Sequence, residues 1–208
     1  MRFGPNPNSL QVPRQTLMKF GMAGAPSSEP PPPVDPVYQT LFDHTTATPT
    51  PVIEGVAYTL GILFAAKVAG QIHGITFYRI DQDATTSRTV ALFDNNNGLA
   101  SAALVTATST ETPSINGMVY VPFAEPFTVT PNAPYVAAVH YPTNYVVTGG
   151  YFPAGPTDTP SFVIPGSTTD LTFFGPGNGR FTDNFLFAYP TNSYQGANYW
   201  VDIKFLPD

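Results

Sequence analysis

The segment Asn198–Pro207, near the C-terminal end of the 208-residue sequence, alternates strictly between two sets of side chains. One set is apolar and consists of Tyr199, Val201, Ile203 and Phe205. The other set consists of Trp200, Asp202 and Lys204. Successive side chains of a β-strand point to opposite faces, so this pattern predicts a half-buried strand that closes a sheet.

Trp200 is the only tryptophan of the chain and falls on the polar face of this predicted strand. An outward aromatic side chain on a sandwich strand has two interpretations. It is either a platform for a ligand or part of a surface that another segment of the chain covers. Both interpretations stay open at the level of sequence, and most of the functional question depends on the choice.

The composition favours many short strands separated by turns. The chain contains 24 prolines, 17 glycines, 16 phenylalanines and 11 tyrosines, and these residues suit strands and tight turns. The predicted strands are Gln39–Asp43, Ala57–Ala65, Gly70–Ile80, Arg88–Asp94, Leu99–Ala107, Met118–Ala124, Tyr135–Tyr141, Tyr145–Tyr151, Leu171–Phe174, Asn184–Tyr189 and Tyr199–Phe205. No convincing long helix is found. The sequence therefore predicts an all-β fold, an antiparallel β-sandwich of jelly-roll or immunoglobulin-like type.

The apolar pattern changes phase at Gly74 within one of these strands. Ile72 lies on one parity, whereas Ile75 and Phe77 lie on the other. An extra residue that re-aims a strand is the mark of a β-bulge, and glycine is common there. We therefore predict a bulge at Gly74.

The N-terminal region differs from the rest of the chain in composition. We therefore predict three parts: an arm (1–24), a proline-rich linker (25–37) and the β-sandwich (38–208). The arm carries six apolar side chains, Leu10, Val12, Leu17, Met18, Phe20 and Met22. Four consecutive prolines at 30–33 favour a stiff, extended spacer. A disordered tail is one interpretation. Because disordered segments are usually poor in apolar residues, we expect an anchoring arm that docks onto a larger assembly.

Several function classes are disfavoured by composition. The chain has no cysteine, only 11% charged residues and a net charge of −6, so it is a poor partner for nucleic acid or an anionic membrane. No apolar run is long enough to span a bilayer. Prolines at positions 5, 7 and 13 interrupt the apolar core that a secretory signal needs, so we expect no signal peptide.

Three blocks of the sequence carry a resemblance to a known family. They are 60–79 (without 65–68), 135–142, and Tyr194–Asp202 with its Tyr-Gln-Gly-Ala-Asn-Tyr-Trp-Val-Asp sequence. The blocks resemble a bacterial β-sandwich family of unassigned function, over roughly residues 40–206. That family occurs beside immunoglobulin-like and carbohydrate-active modules, and alone in tail proteins of phages of actinobacteria. The sequence departs from the family pattern after Pro142 and in polar insertions around 109–116 and 157–169.

The resemblance, the arm and the missing export signal together suggest a phage virion protein. Lysis would release such a protein, and the arm would fix it to other virion proteins in multiple copies per particle. We therefore expect a minor tail or surface-decorating protein located in the virion, which contacts host glycan. The alternative is a carbohydrate-binding accessory module of a secreted or cell-surface system. A third interpretation is a purely structural role without a ligand.

No pattern predicts catalysis, a cofactor or a metal. His44, His73 and His140 are far apart in sequence, and no nucleophile or phosphate-binding motif occurs. Asp81 and Asp83, in a predicted hairpin, are explained by turn chemistry without a substrate. The oxygen-rich segment Asp94–Gly98 offers calcium ligands, but a tight hairpin turn is favoured over a calcium site. We expect a non-enzymatic protein with no cofactor.

Two aromatic clusters are candidate sugar-binding residues, since an aromatic face packs on the apolar side of a pyranose. The first cluster contains Trp200, Asp202, Asn198, Tyr194 and Tyr199. The second contains His140, Tyr141, Asn144, Tyr145, Tyr151 and Phe152. Core packing is the competing interpretation for both. By parity Tyr199 is expected in the core, and His140 is expected to be half-buried.

Overall fold

A computed structural model describes residues 35–46, 49–80, 87–95, 99–109, 117–167 and 177–208. The compact unit spans Pro36–Asp208. Its strands are β1 (Thr50–Ile53), β2 (Tyr58–Ala66), β3 (Gly70–Arg79), β4 (Thr89–Asp94), β5 (Ala103–Thr108), β6 (Gly117–Thr128), β7 (Pro134–Tyr141), β8 (Asn144–Val147), β9 (Thr157–Asp158), β10 (Phe162–Ile164), β11 (Arg180–Thr182), β12 (Asn192–Ser193) and β13 (Val201–Pro207). The predicted arm with its six apolar residues, most of the linker, and the strand Leu171–Phe174 lie outside the described residues.

The strands form an antiparallel sandwich. The larger sheet has the order β12-β11-β2-β7-β4-β5, with β10 added to β2 and β9 to β10. The smaller sheet has the order β13-β3-β6, and β1 pairs with β8. One apolar core joins the two sheets, because it contains Leu60 and Val139 of the larger sheet together with Ile75 and Ile203 of the smaller one. The predicted all-β sandwich is confirmed.

The apolar face of the closing strand packs as its alternation predicts, but the predicted half-buried state is wrong, because Trp200 and Asp202 on the other face are buried as well. Four side chains of one parity lie in the main core: Tyr199, Val201, Ile203 and Phe205. Strand β13 pairs with β3 along its whole length. Since full burial of one large apolar side chain contributes about 1.5–3 kcal/mol, this strand face is a substantial part of the core.

The predicted bulge in β3 is confirmed. The register between β3 and β6 shifts between Ile72 and Gly74, and β13 shifts opposite the same point. His73 is the extra residue opposite β13, whereas in the pairing with β6 the longer unpaired stretch, residues 123–126, lies on β6. A Cβ atom at position 74 would lie 2.3 Å from the carbonyl oxygen of Val121, so the close approach of β6 requires glycine there.

A second, smaller core lies on the outer face of the larger sheet. Leu63, Phe93, Val136 and Ala138 point to this face, and Tyr189 covers them. Strands β2, β4 and β7 are therefore buried on both faces. This burial explains why their sequences are continuously apolar instead of alternating.

Several predicted elements differ from the observed ones. Residues 39–43 are not a strand, because only Gln39 forms a single bridge, and the segment instead uses its backbone to bind Asp202. Residues 184–189 are not a strand either, since they cross the outer face of the sheet. The strand predicted at 145–151 ends at Val147. Asp81 and Asp83, for which a hairpin is predicted, lie outside the described residues, and the strands on either side of them, β3 and β4, belong to different sheets.

No helix within the described ranges has the length and apolarity required to cross a membrane.

Candidate functional site

An open cleft at one end of the sandwich is lined mostly by tyrosine. Its lining residues are Tyr58, Leu60, Tyr145, Phe181, Tyr194 and Tyr199, and its volume is about 190 Å³. We refer to this site as the tyrosine cleft. Because one water occupies roughly 30 Å³ of liquid, the cleft has room for a single small ring and not for a drug-sized ligand.

The tyrosine cleft is assembled from segments that are distant in sequence. Tyr58 begins β2, and Tyr145 lies in β8, which reaches the site because it pairs with β1. The rings of Tyr58 and Tyr145 meet edge to face, with centroids 5.3 Å apart. Tyr145 in turn meets Tyr199 at 6.1 Å. These contacts hold each ring at an angle to its neighbour. Tyr58 and Tyr145 are half-buried, and Tyr199 is buried.

A tight turn presents Tyr194 to the tyrosine cleft. The backbone N–H of Ala197 donates to the carbonyl of Tyr194 at 3.0 Å, which closes a four-residue turn. Its central residues, Gln195 and Gly196, have φ of 48° and 60°, the left-handed pair of a type I′ turn. A Cβ on Gly196 would also lie 2.6 Å from the Cβ of Ser167. Tyr194 itself stays 57% exposed.

Two carboxylates stand at the rim of the tyrosine cleft. Gly55, with φ of 69°, reverses the chain between β1 and β2 and so places Glu54 near Tyr58. The Tyr58 hydroxyl donates to Glu54 Oε2 at 3.2 Å. Asp183 lies close enough to add to the negative potential at Tyr58. Both carboxylates are exposed.

The ionisation of the cleft tyrosines reflects this environment. Burial, followed by the charge of Glu54, raises the pKa of Tyr145 to about 12. Burial and the neighbouring tyrosines raise the pKa of Tyr199 further, and burial raises that of Tyr58. The hydroxyl groups of Tyr58, Tyr145 and Tyr199 are therefore neutral hydrogen-bonding groups at physiological pH.

Trp200 is not exposed. The exposed-platform interpretation is wrong, because only 2% of the Trp200 surface is accessible and the ring packs with Phe42, Tyr151 and Val146. Its indole N–H donates to Thr148 Oγ1 at 3.0 Å. Its φ of 54° is in the left-handed region, which is strained for an aromatic residue and persists only where the surroundings enforce it. The second interpretation is the correct one: another segment covers this face.

Asp202 fastens that covering segment. Its carboxylate is fully buried and accepts hydrogen bonds from the backbone N–H groups of Leu41 (2.7 Å), Phe42 (3.1 Å) and Ile203 (2.6 Å). His44 Nε2 lies 2.6 Å from the same carboxylate. Burial raises the pKa of Asp202, although these hydrogen bonds oppose the shift. Asp202 is thus a structural residue that holds residues 41–44 over the tryptophan.

The remaining candidate sugar-binding residues, Asn198, Asn144 and His140, lie in different parts of the fold. Asn198 is buried, and its Oδ1 accepts a hydrogen bond from the backbone N–H of Trp200 at 2.8 Å. Asn144 is 9% exposed beside Tyr145. His140 faces the outer side of the larger sheet, where it lies 3.3 Å from Thr59 and near Phe187, so it points away from the tyrosine cleft. Its predicted half-buried state is confirmed, and burial lowers its pKa.

A second concavity borders the covered tryptophan. It measures about 300 Å³, and Phe42, Asp43, Tyr151 and Phe152 are among its lining residues. Its aromatic rings contact one another at 5.3–6.0 Å, edge to face between Tyr151 and each of Phe42 and Phe152, and tilted between Phe42 and Phe152. The Asp43 carboxylate accepts from the backbone and side chain of Thr45. This groove is larger than the tyrosine cleft, but its carboxylate is engaged within its own segment, whereas Glu54 accepts from a ring hydroxyl of the cleft.

The segment after Asp94 connects a hairpin. Strands β4 and β5 pair directly, so residues 95–102 form their connection, as the hairpin interpretation predicts. Asn95 is buried and accepts from the Tyr189 hydroxyl at 2.6 Å. Residues 96–98 lie outside the described ranges. In the part of the chain that the structure covers, no group of three acidic or histidine side chains is arranged to hold a metal ion.

The family comparison agrees with this architecture. A family model described as a domain of unknown function, DUF4082, matches residues 45–201. The chain belongs to this family. The DUF4082 match contains β1 to β12 and all six residues of the tyrosine cleft, and it confirms a β-domain family of unassigned function. No curated protein matches the chain. The association with phages and carbohydrate-active modules stays a proposal.

Sequence reasoning missed several residues of the DUF4082 cleft. Tyr145, Tyr194 and Tyr199 were candidates, but they were placed in two separate clusters. Tyr58, Phe181 and the rim residue Glu54 were not candidates. The Glu54-Gly55 pair before an alternating strand was a signal of a turn, yet only the β1–β8 pairing shows which side chains that turn approaches.

Proposed function

We propose that this domain binds carbohydrate in the tyrosine cleft, and that the chain is a non-enzymatic surface protein of a phage virion. The observation that carries the binding proposal is the open cleft of four tyrosines with a carboxylate at its rim. Tyrosine is apolar on its face and polar at its hydroxyl. It therefore suits a sugar ring, whose carbon–hydrogen face is apolar and whose hydroxyls need hydrogen-bond partners.

Binding at this cleft requires no catalytic group. The hydroxyls of Tyr58, Tyr145 and Tyr199 stay protonated at physiological pH because their pKa values are raised, and they can donate and accept hydrogen bonds with sugar hydroxyls. Tyr145 and Tyr194, both expected as ligand residues, belong to this site. We place Trp200, Asp202 and Asn198 in the supporting structure, and we assign no ligand contact to His140.

The virion assignment rests on the sequence. The proline-rich linker 25–37 follows an apolar arm (1–24), an arrangement suited to anchoring the domain on other virion proteins and displaying it outward. Many copies per particle would add weak contacts through avidity. We therefore expect each site to bind host glycan weakly, with dissociation constants of roughly micromolar to millimolar. A carbohydrate-binding module of a secreted or cell-surface system would use the same cleft, and immunogold labelling of intact particles discriminates the two.

Replacement of Tyr194 by alanine tests the binding proposal. Full-length protein is titrated with glucose, galactose, N-acetylglucosamine and glucosamine by NMR. Because Tyr194 is 57% exposed, the fold is expected to survive, while binding of the best sugar weakens by about tenfold, as for a central aromatic contact. Tyr151→Ala, in a tyrosine that is 39% exposed outside the cleft, is the control and should keep the affinity. Equal binding by wild type and Tyr194→Ala, or binding of no sugar by the wild type, would overturn the proposal.

A further inference from the structure

The tyrosine cleft carries negative charge that no described residue balances. Glu54 and Asp183 stand at its rim. Within the described ranges, neither of them pairs with a lysine, arginine or histidine, because the ion pairs found there join His44 to Asp202 and Lys67 to Asp158. Among the residues that the structure describes, no basic side chain lines the cleft.

The aromatic rings that line the cleft also favour a positively charged ligand. The face of an aromatic ring carries the negative part of its quadrupole, so several rings around one cavity favour a cation. Tyr58, Tyr145 and Tyr199 are set edge to face in a chain, and Tyr194 also lines the cleft. Burial, followed by the negative charge of Glu54, raises the pKa of Tyr145 to about 12, so the Glu54 carboxylate acts on the ring that lines the cleft.

Charge and size together define the ligand class. A volume of about 190 Å³ fits one small ring, and the rim carboxylates supply partners for a positive group on that ring. A neutral hexose would use the aromatic faces but would leave the carboxylates with hydroxyl partners only. An N-acetylated hexosamine has no charge to offer, and a sugar acid would be repelled.

We propose that the tyrosine cleft selects an amino sugar with a free ammonium group, which Glu54 binds at the rim, over neutral and N-acetylated sugars. This inference rests on the proposed function, since it names the substrate class of the same cleft. The ring of the amino sugar packs on the tyrosine faces. Its ammonium donates to the Glu54 carboxylate, which the Tyr58 hydroxyl already orients.

The test compares three sugars that differ only at one position of the ring. Full-length protein is titrated at pH 6 with glucosamine, N-acetylglucosamine and glucose, so that the amine is protonated. We expect glucosamine to bind about fivefold more tightly than the other two, as for one partly exposed charge contact. Glu54→Gln should bring glucosamine to the affinity of glucose. Raising the salt concentration should narrow the difference in the wild type.

Glu125→Gln is the matched control, since it makes the same change in an exposed carboxylate of β6 that does not line the cleft. It should leave the preference for glucosamine intact. Equal affinity for all three sugars, or a preference that survives in Glu54→Gln, would overturn the amino-sugar inference while leaving carbohydrate binding in place. Failure of every sugar to bind would overturn the proposed function as well. Tighter binding of tetramethylammonium than of glucosamine would overturn the sugar assignment and leave only a cation site.

Discussion

Two aromatic groups of this domain look alike in composition and differ in what surrounds them. In the tryptophan group (Phe42, Tyr151, Phe152 and Trp200), residues 41–44 cover Trp200, whereas Tyr151 stays 39% exposed. The tyrosine cleft is open at its rim, and its most exposed ring is Tyr194, at 57%. The comparison teaches that an aromatic cluster becomes a binding surface only where the chain leaves its faces free.

The two carboxylates associated with these groups show the same contrast. Asp202 is fully buried, and its oxygens are occupied by backbone N–H groups and His44. Glu54 is exposed and accepts a hydrogen bond from the Tyr58 hydroxyl, which leaves lone pairs for another donor. A buried carboxylate with several donors serves the fold, whereas an exposed one beside open rings is free to meet a ligand.

The largest effect expected from this comparison is on stability, from Trp200→Ala. Removal of a buried tryptophan leaves a cavity and typically costs about 3–5 kcal/mol of the free energy of unfolding. Alanine keeps a Cβ atom, so the substitution does not offset this loss by relieving the strained φ of 54°. Urea denaturation measures the change. An unfolding free energy within about 0.5 kcal/mol of wild type, the range of ordinary surface substitutions, would contradict the buried role.

Asp202→Asn is expected to have a smaller effect at the same place. The amide keeps the shape of the carboxylate but loses its charge and presents an N–H₂ group to backbone donors. Loss of charge-assisted hydrogen bonds costs about 1.5–3 kcal/mol. Hydrogen exchange of the Leu41 and Phe42 amides should become faster, since both donate to Asp202.

Asp158→Asn provides the control for that experiment. Asp158 pairs with Lys67 at 2.7 Å, but its side chain is 65% exposed, and such surface pairs contribute little. Its substitution should leave both stability and amide exchange nearly unchanged. If Asp202→Asn behaved like this control, residues 41–44 would not be held over the tryptophan by Asp202.

The sequence could predict which residues face inward because that property is local. Alternation placed Tyr199, Val201, Ile203 and Phe205 in the core, and the phase change placed a bulge at Gly74. It could not predict what covers the opposite face. The decisive contact joins Leu41 to Asp202, 161 positions apart, and only the folded chain brings them together.

The composition of the tyrosine cleft was beyond sequence reasoning for a related reason. Its rings come from β2, β8, β11 and the two turns before β13. The short strand β1 contains Pro51 and reads poorly as a strand, yet its pairing with β8 places Glu54 and Tyr145 at the same site. Side chains that share a site through strand pairing cannot be grouped by their spacing alone.

The most direct test of the central claim uses the single tryptophan as an internal reference. Trp200 gives one indole N–H signal, and its N–H is bound to Thr148 inside the covered group. Full-length protein with labelled tyrosine and tryptophan is titrated with glucosamine and followed by NMR. The account predicts that signals of Tyr58, Tyr145 and Tyr194 shift while the indole signal stays in place. A shift of the indole signal without a shift of the cleft tyrosines would contradict it.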